Sequence, residues 1–302
     1  MALEKDSGAC RSVTPAIVAH QRRPTAALLG FMAEHEAVAF QQHICNLSET
    51  VSEAEMRAAW AAAAAEVARL PAFEPRASAV RPLSAPAAAL AAKIESDPDF
   101  QRHLQQTPPF NWVSIEIDQL RSAQQYVDTA HVESLTCPPV SDEAATLEFC
   151  MRASPIDAPL WSADGKWTFS SVTDQNLEAK GFALHRISDT QMQVCAVIDS
   201  RPNYMFVADL GEGRYVLANG YHRTVALQRA GHTRIPCFTL PFERVSKIYA
   251  GPGFFTDAQL DAPRPPLVAD YSGRPGVVHL DRPARSHILR VALQVEAFDA
   301  PA

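Results

Sequence analysis

Apolar positions along the first third of the chain recur at helical spacing. The stretch "AALLGFMAEHEAVAFQQHI" (26–44) predicts a first helix. A second is predicted in "SEAEMRAAWAAAAAEVARLP" (52–71), where Ser52 and Glu55 form a capping box and Pro71 marks the stop. One or two more are expected in "SAPAAALAAKIESDPDFQRHL" (84–104), broken near Pro98. At Trp112 the period changes. "WVSIEI" alternates as a half-buried strand does, and Asp118 is placed to cap a helix over "QLRSAQQYV". Residues 134–165 are rich in turn formers around one short helix at 142–151.

From Trp167 to Leu240 short runs of β-branched and aromatic residues dominate: "WTFSSV", "FALHRI", "QMQVCAVI", "MFVADL" and "RYVLAN". "MFVADL-GEG-RYVLAN" reads as a hairpin with a glycine-bearing three-residue loop. A helix over about 221–230 follows, stopped by Gly231, and then the strand "RIPCFTL". In the tail, "GVVHL" and "HILRVALQVEAF" are expected to pair as strands. The pattern divides the chain into a flexible lead (1–24), a helical region (25–110), a mixed domain (111–245) and a β-containing extension (246–302).

Composition adds limits. The chain has 302 residues, 47% of them hydrophobic, which suits globular folding, and no apolar run is long enough to span a bilayer. The amino terminus lacks a basic cap followed by an apolar stretch, so a cytoplasmic protein is expected. None of the six cysteines forms a C-x-x-C pair, so neither a zinc knuckle nor a thioredoxin-type site is indicated, and buried thiols are the expectation. The net charge of −7 disfavours duplex DNA as the main partner. Charge is uneven, however: residues 111–200 hold 13 acids against 5 Lys/Arg, while 201–245 hold 6 Arg against 3 acids. A local arginine excess in an acidic chain fits a small anion.

That basic island contains "LANGYHRTVALQRAGHTRIPCFTL" (217–240), in which a strand turns into a helix at Asn219-Gly220. Glycine permits a left-handed turn and close backbone approach. The first N–H groups of a helix lack internal partners and, with the helix dipole, make an anion site. His222 and Arg223 project from that first turn, and Thr224 adds a hydroxyl. Cations at a helix amino end oppose the dipole, so an anion beside them would remove the conflict. A capped helix with an exposed His-Arg pair and no ligand is the competing reading.

These residues, Gly220, His222, Arg223, Ala226, Gly231 and Pro236, resemble the signature of the ParB and sulfiredoxin superfamily, closely over 205–240 and loosely from "WVSIEIDQLRSAQQYV". The resemblance implies an α+β fold: a small mixed sheet with helices, preceded here by a helical region and followed by a β-containing extension. It also implies that Asn219, Gly220, Tyr221, His222, Arg223 and Thr224 bind the phosphates of a nucleotide, ATP or CTP with Mg. Phosphotransfer or nucleotide hydrolysis would then use His222 with an acid such as Glu116 or Asp118. Departures narrow it. Sulfiredoxins carry a reactive cysteine where this chain has Tyr221, and partitioning ParB proteins follow this domain with a helix-turn-helix that the Pro- and Gly-rich tail does not suggest. A non-catalytic anion sensor and a DNA-associated nuclease remain as alternatives. Oligomeric state is not legible.

Overall fold

The computed structural model describes residues 22–104, 109–152, 160–163, 166–171, 177–200, 204–249, 251–283 and 287–292. In chain order the first elements are β1 (Arg22–Ala27), α1 (Glu34–Ala39), α2 (Glu53–Val67), β2 (Val80–Arg81), α3 (Ala85–Glu95) and α4 (Pro98–Leu104). Next come β3 (Asn111–Glu116), β4 (Leu120–Ser122), β5 (Tyr126–Asp128), α5 (Thr129–Ser134) and α6 (Glu143–Met151). Strands β6 (Leu160–Ala163), β7 (Lys166–Ser171), β8 (Leu177–Arg186) and β9 (Met192–Ser200) follow. The hairpin β10 (Phe206–Asp209) and β11 (Tyr215–Asn219) leads to α7 (Tyr221–Arg229) and β12 (Arg234–Pro241). Last are α8 (Asp257–Leu260), β13 (Val278–Pro283) and β14 (His287–Ala292).

Two compact units result. The larger combines Arg22–Ala153 with Asn203–Pro283, so the sequence-based bounds at 110 and 245 both fall inside it. The smaller contains β6 to β9 and β14; β14 and β6 flank β7, and β8 pairs with β9.

The larger unit is mixed α+β. Its main sheet has the order β2-β3-β12-β10-β11-β4. β12 runs parallel to β10 and antiparallel to β3, while β4 runs parallel to β11. A second sheet, β13-β1-β5, is antiparallel throughout. The Ser52–Glu55 box forms as the sequence suggests, with Ser52 N–H on Glu55 Oε2 at 2.8 Å, and α4 begins at Pro98. Phe238 of β12 packs among Phe100, Phe110 and Trp112, with ring centroids 5.5–5.7 Å from it.

Three expectations from periodicity are corrected. The predicted helix at 26–44 starts as β1, because Ala26 and Ala27 lie fully buried between β13 and β5. A strand covered on all sides shows no alternation, so its apolar run resembles a buried helix. "QLRSAQQYV" forms β4 and β5 in place of a helix; Leu120, Arg121, Ser122 and Ala123 are all buried, a packing one helical face cannot provide. Asp118 therefore has no helix to cap, and it pairs with Arg76. The two tail strands do not pair with each other: β13 joins β1 and β14 joins β7. Of the expected lead, residues 22–24 belong to β1, and 1–21 lie outside the described residues.

Candidate functional site

Gly220 is the residue before α7 and adopts φ 97° and ψ 24°. Two constraints demand glycine there. The conformation is left-handed, and an added Cβ would stand 2.8 Å from Met205 Cγ. Asn219 locks the corner: its Oδ1 accepts the Gly220 N–H at 2.8 Å and its Nδ2 donates to the Tyr204 carbonyl at 2.9 Å. Thr224 is buried, and its hydroxyl donates back to the Gly220 carbonyl at 3.1 Å.

Tyr221 points into the core. Its hydroxyl accepts the Ala123 N–H at 3.0 Å and donates to the Leu217 carbonyl. Burial holds the phenol well above its ordinary pKa, so it stays neutral. Arg223 also turns inward. Its Nη1 donates to the carbonyls of Cys150 (2.6 Å), Phe149 (3.3 Å) and Arg152 (3.4 Å), at the carboxyl end of α6. Burial pulls its pKa below the ordinary value. The conflict of a cation with the amino end of α7 is thus met by the negative end of a second helix.

His222 takes a different direction. Its Nε2 accepts the backbone N–H of Asp128 at 3.1 Å, and its ring meets that of His131 at 4.9 Å. An N–H donor requires an unprotonated Nε2, so the neutral ring carries its proton on Nδ1. Asp128 itself caps α5 through Oδ1 on His131 N–H (3.0 Å). Its Oδ2 faces Arg23 at 3.0 Å and Arg282 at 3.8 Å. Arg23 and Arg282 stand directly opposite each other on β1 and β13. Burial raises the Asp128 pKa, but His131 N–H, Arg23 and Arg282 outweigh it and hold the carboxylate below its ordinary range. Two arginine side chains, from β1 and β13, therefore face the carboxylate that caps α5, and the rings of His131 and His222 meet beside its backbone.

The structure does not bring the two candidate acids to this place. Glu116 pairs in register with Arg234, and Ile117 N–H donates to the Thr233 carbonyl beyond the other end of α7. There Glu116 binds Arg234 (2.7 Å) and Arg76 (2.7 Å), and Asp118 binds Arg76 (2.5 Å). A cleft of about 420 Å³ lined by Glu34, His35 and Arg57, and one of about 210 Å³ lined by Arg214, Arg244 and Asp261, do not touch the turn.

Arg23, Asp128, His131 and Arg282 escaped the sequence reading. The only local signals are "QRRP" and "LDRP", two arginine-proline pairs more than 250 positions apart, and nothing in either indicates that they meet. Among the described residues no three His, Cys, Asp or Glu side chains gather as metal ligands, and no helix is long and apolar enough to cross a membrane. In comparisons with protein families, with characterised proteins and with solved structures, nothing matches this chain.

Proposed function

We propose that this protein binds a nucleotide through its phosphates at the turn Gly220–Thr224, with ATP or CTP as ligand and Mg carried on the phosphates. The observation that supports this reading is the pair of arginines, Arg23 and Arg282, facing Asp128, whose backbone N–H meets His222 in the first turn of a nine-residue helix. Helix N–H groups and nearby cations together are what a phosphate requires. Within the turn the residues divide by role. Asn219, Gly220, Tyr221 and Thr224 shape the backbone, Arg223 ties α7 to α6, and His222 faces Asp128.

The acids bear on turnover. Glu116 and Asp118 are held in ion pairs beyond the far end of α7, which favours a sensor that binds without transferring or hydrolysing phosphate. Calorimetry with ATP, CTP and GTP plus magnesium tests binding; a dissociation constant below about 1 mM is expected for at least one. Absence of any binding in that range overturns the proposal. Phosphate release in the same samples separates enzyme from sensor, and a gel shift at low salt tests the DNA-associated nuclease, for which none is expected.

A further inference from the structure

Arg282 is 6% exposed, and among the described residues few of its donors are matched. Its Nε is buried without a hydrogen-bond partner. Its contact with Asp128 is an ion pair at 3.8 Å, too long for a hydrogen bond, and its planar group lies 5.2 Å from the Tyr126 ring centre. The Asp128 carboxylate is already engaged, by Arg23 at 3.0 Å and by the His131 N–H at 3.0 Å. The nearby Cys45 supplies no charge, because burial pushes its thiol up to about 12. A buried guanidinium normally satisfies its donors, and one whose buried Nε is left unmatched suits a phosphate oxygen. The charge pattern agrees: two arginines face each other across β1 and β13, and both face Asp128. Like charges placed opposite in a sheet repel.

We infer that Arg282, with Arg23 beside it, is the phosphate-contacting arginine of the site, which takes a multiply charged phosphoanion lying between His222 and the β1–β13 strand pair. This rests on the nucleotide reading for its setting and transfers the arginine's role from Arg223 to a strand that the turn motif does not contain. Asp128 remains on Arg23, and its negative charge opposes the ligand. Removing Arg282 and removing the Asp128 charge therefore have opposite effects. A purely structural cluster would not behave in this way.

The test is calorimetric titration of the full chain with inorganic pyrophosphate, and separately with ATP and CTP plus magnesium. Wild type is compared with Arg282→Gln and Asp128→Asn. Asparagine keeps the cap on α5 while losing the charge. Pyrophosphate affinity should fall roughly tenfold or more in Arg282→Gln, as expected for a lost charge-assisted contact, and should rise in Asp128→Asn. Wild-type affinity in Arg282→Gln overturns the inference. Should that variant fail to fold, Asp128→Asn decides: unchanged or weaker binding overturns it. Pyrophosphate binding with these effects, but no binding of ATP or CTP, would sink the nucleotide reading and leave the inference standing. No binding of any of the three to wild type removes both.

Discussion

Arg223 is the residue on which motif and structure differ most, and its replacement by methionine separates the two. The sequence places it on a phosphate; the structure places it on the last carbonyls of α6. Methionine keeps an apolar stem of similar reach and removes the guanidinium. Of its three bonds to these carbonyls the one to Cys150, at 2.6 Å, is the shortest, so the loss includes at least one charge-assisted hydrogen bond, roughly 1.5–3 kcal/mol. The methionine variant also avoids burying a cation, a cost visible in the lowered Arg223 pKa, which moves the net toward the lower part of that range. We expect a destabilisation of about 2 kcal/mol, or a fall in Tm of roughly 4–8 °C for a unit of this size. Urea and thermal unfolding followed by circular dichroism measure it, with pyrophosphate titration on the same sample. Stability within about 0.5 kcal/mol of wild type together with lost anion binding would refute the assignment and return Arg223 to the ligand.

Two further outcomes follow from the same geometry. Tyr221→Phe orphans the Ala123 N–H and should cost about 1–3 kcal/mol in urea unfolding; an unchanged midpoint would mean that the phenol does not hold β4 to α7. Asp128 has a folded pKa below its ordinary 3.8, so its contribution is complete above that value and is lost as pH falls through the lower folded pKa. Wild type should therefore lose more stability than Asp128→Asn between about pH 5 and pH 3, and equal losses would contradict the ion pairs with Arg23 and Arg282.

Local order was readable wherever one residue type carries one physical requirement. The Ser52–Glu55 box, the break at Pro98, the glycine-bearing β10–β11 loop and the glycine that opens α7 all belong to this class. Each depends on backbone geometry within four or five residues, where spacing is enough. The failures share another cause. β4, the second half of β1 and most of β5 are short runs whose side chains are buried, and periodicity carries no signal when both faces are covered.

The site shows the same division more sharply. Chain order alone determined that a strand would turn through a left-handed glycine into a helix bearing His222 and Arg223, because only local conformation was at stake. Where those side chains point was decided by tertiary packing. Arg223 faces α6 because the carboxyl end of that helix arrives beside it, and His222 faces Asp128 because β5 ends there. The separation of Glu116 and Asp118 from the turn, and the meeting of Arg23 with Arg282, follow from strand register between segments far apart in sequence. Charge and hydrogen-bond partners at a site are properties of distance in space, and the linear chain holds those distances only once the sheets have formed.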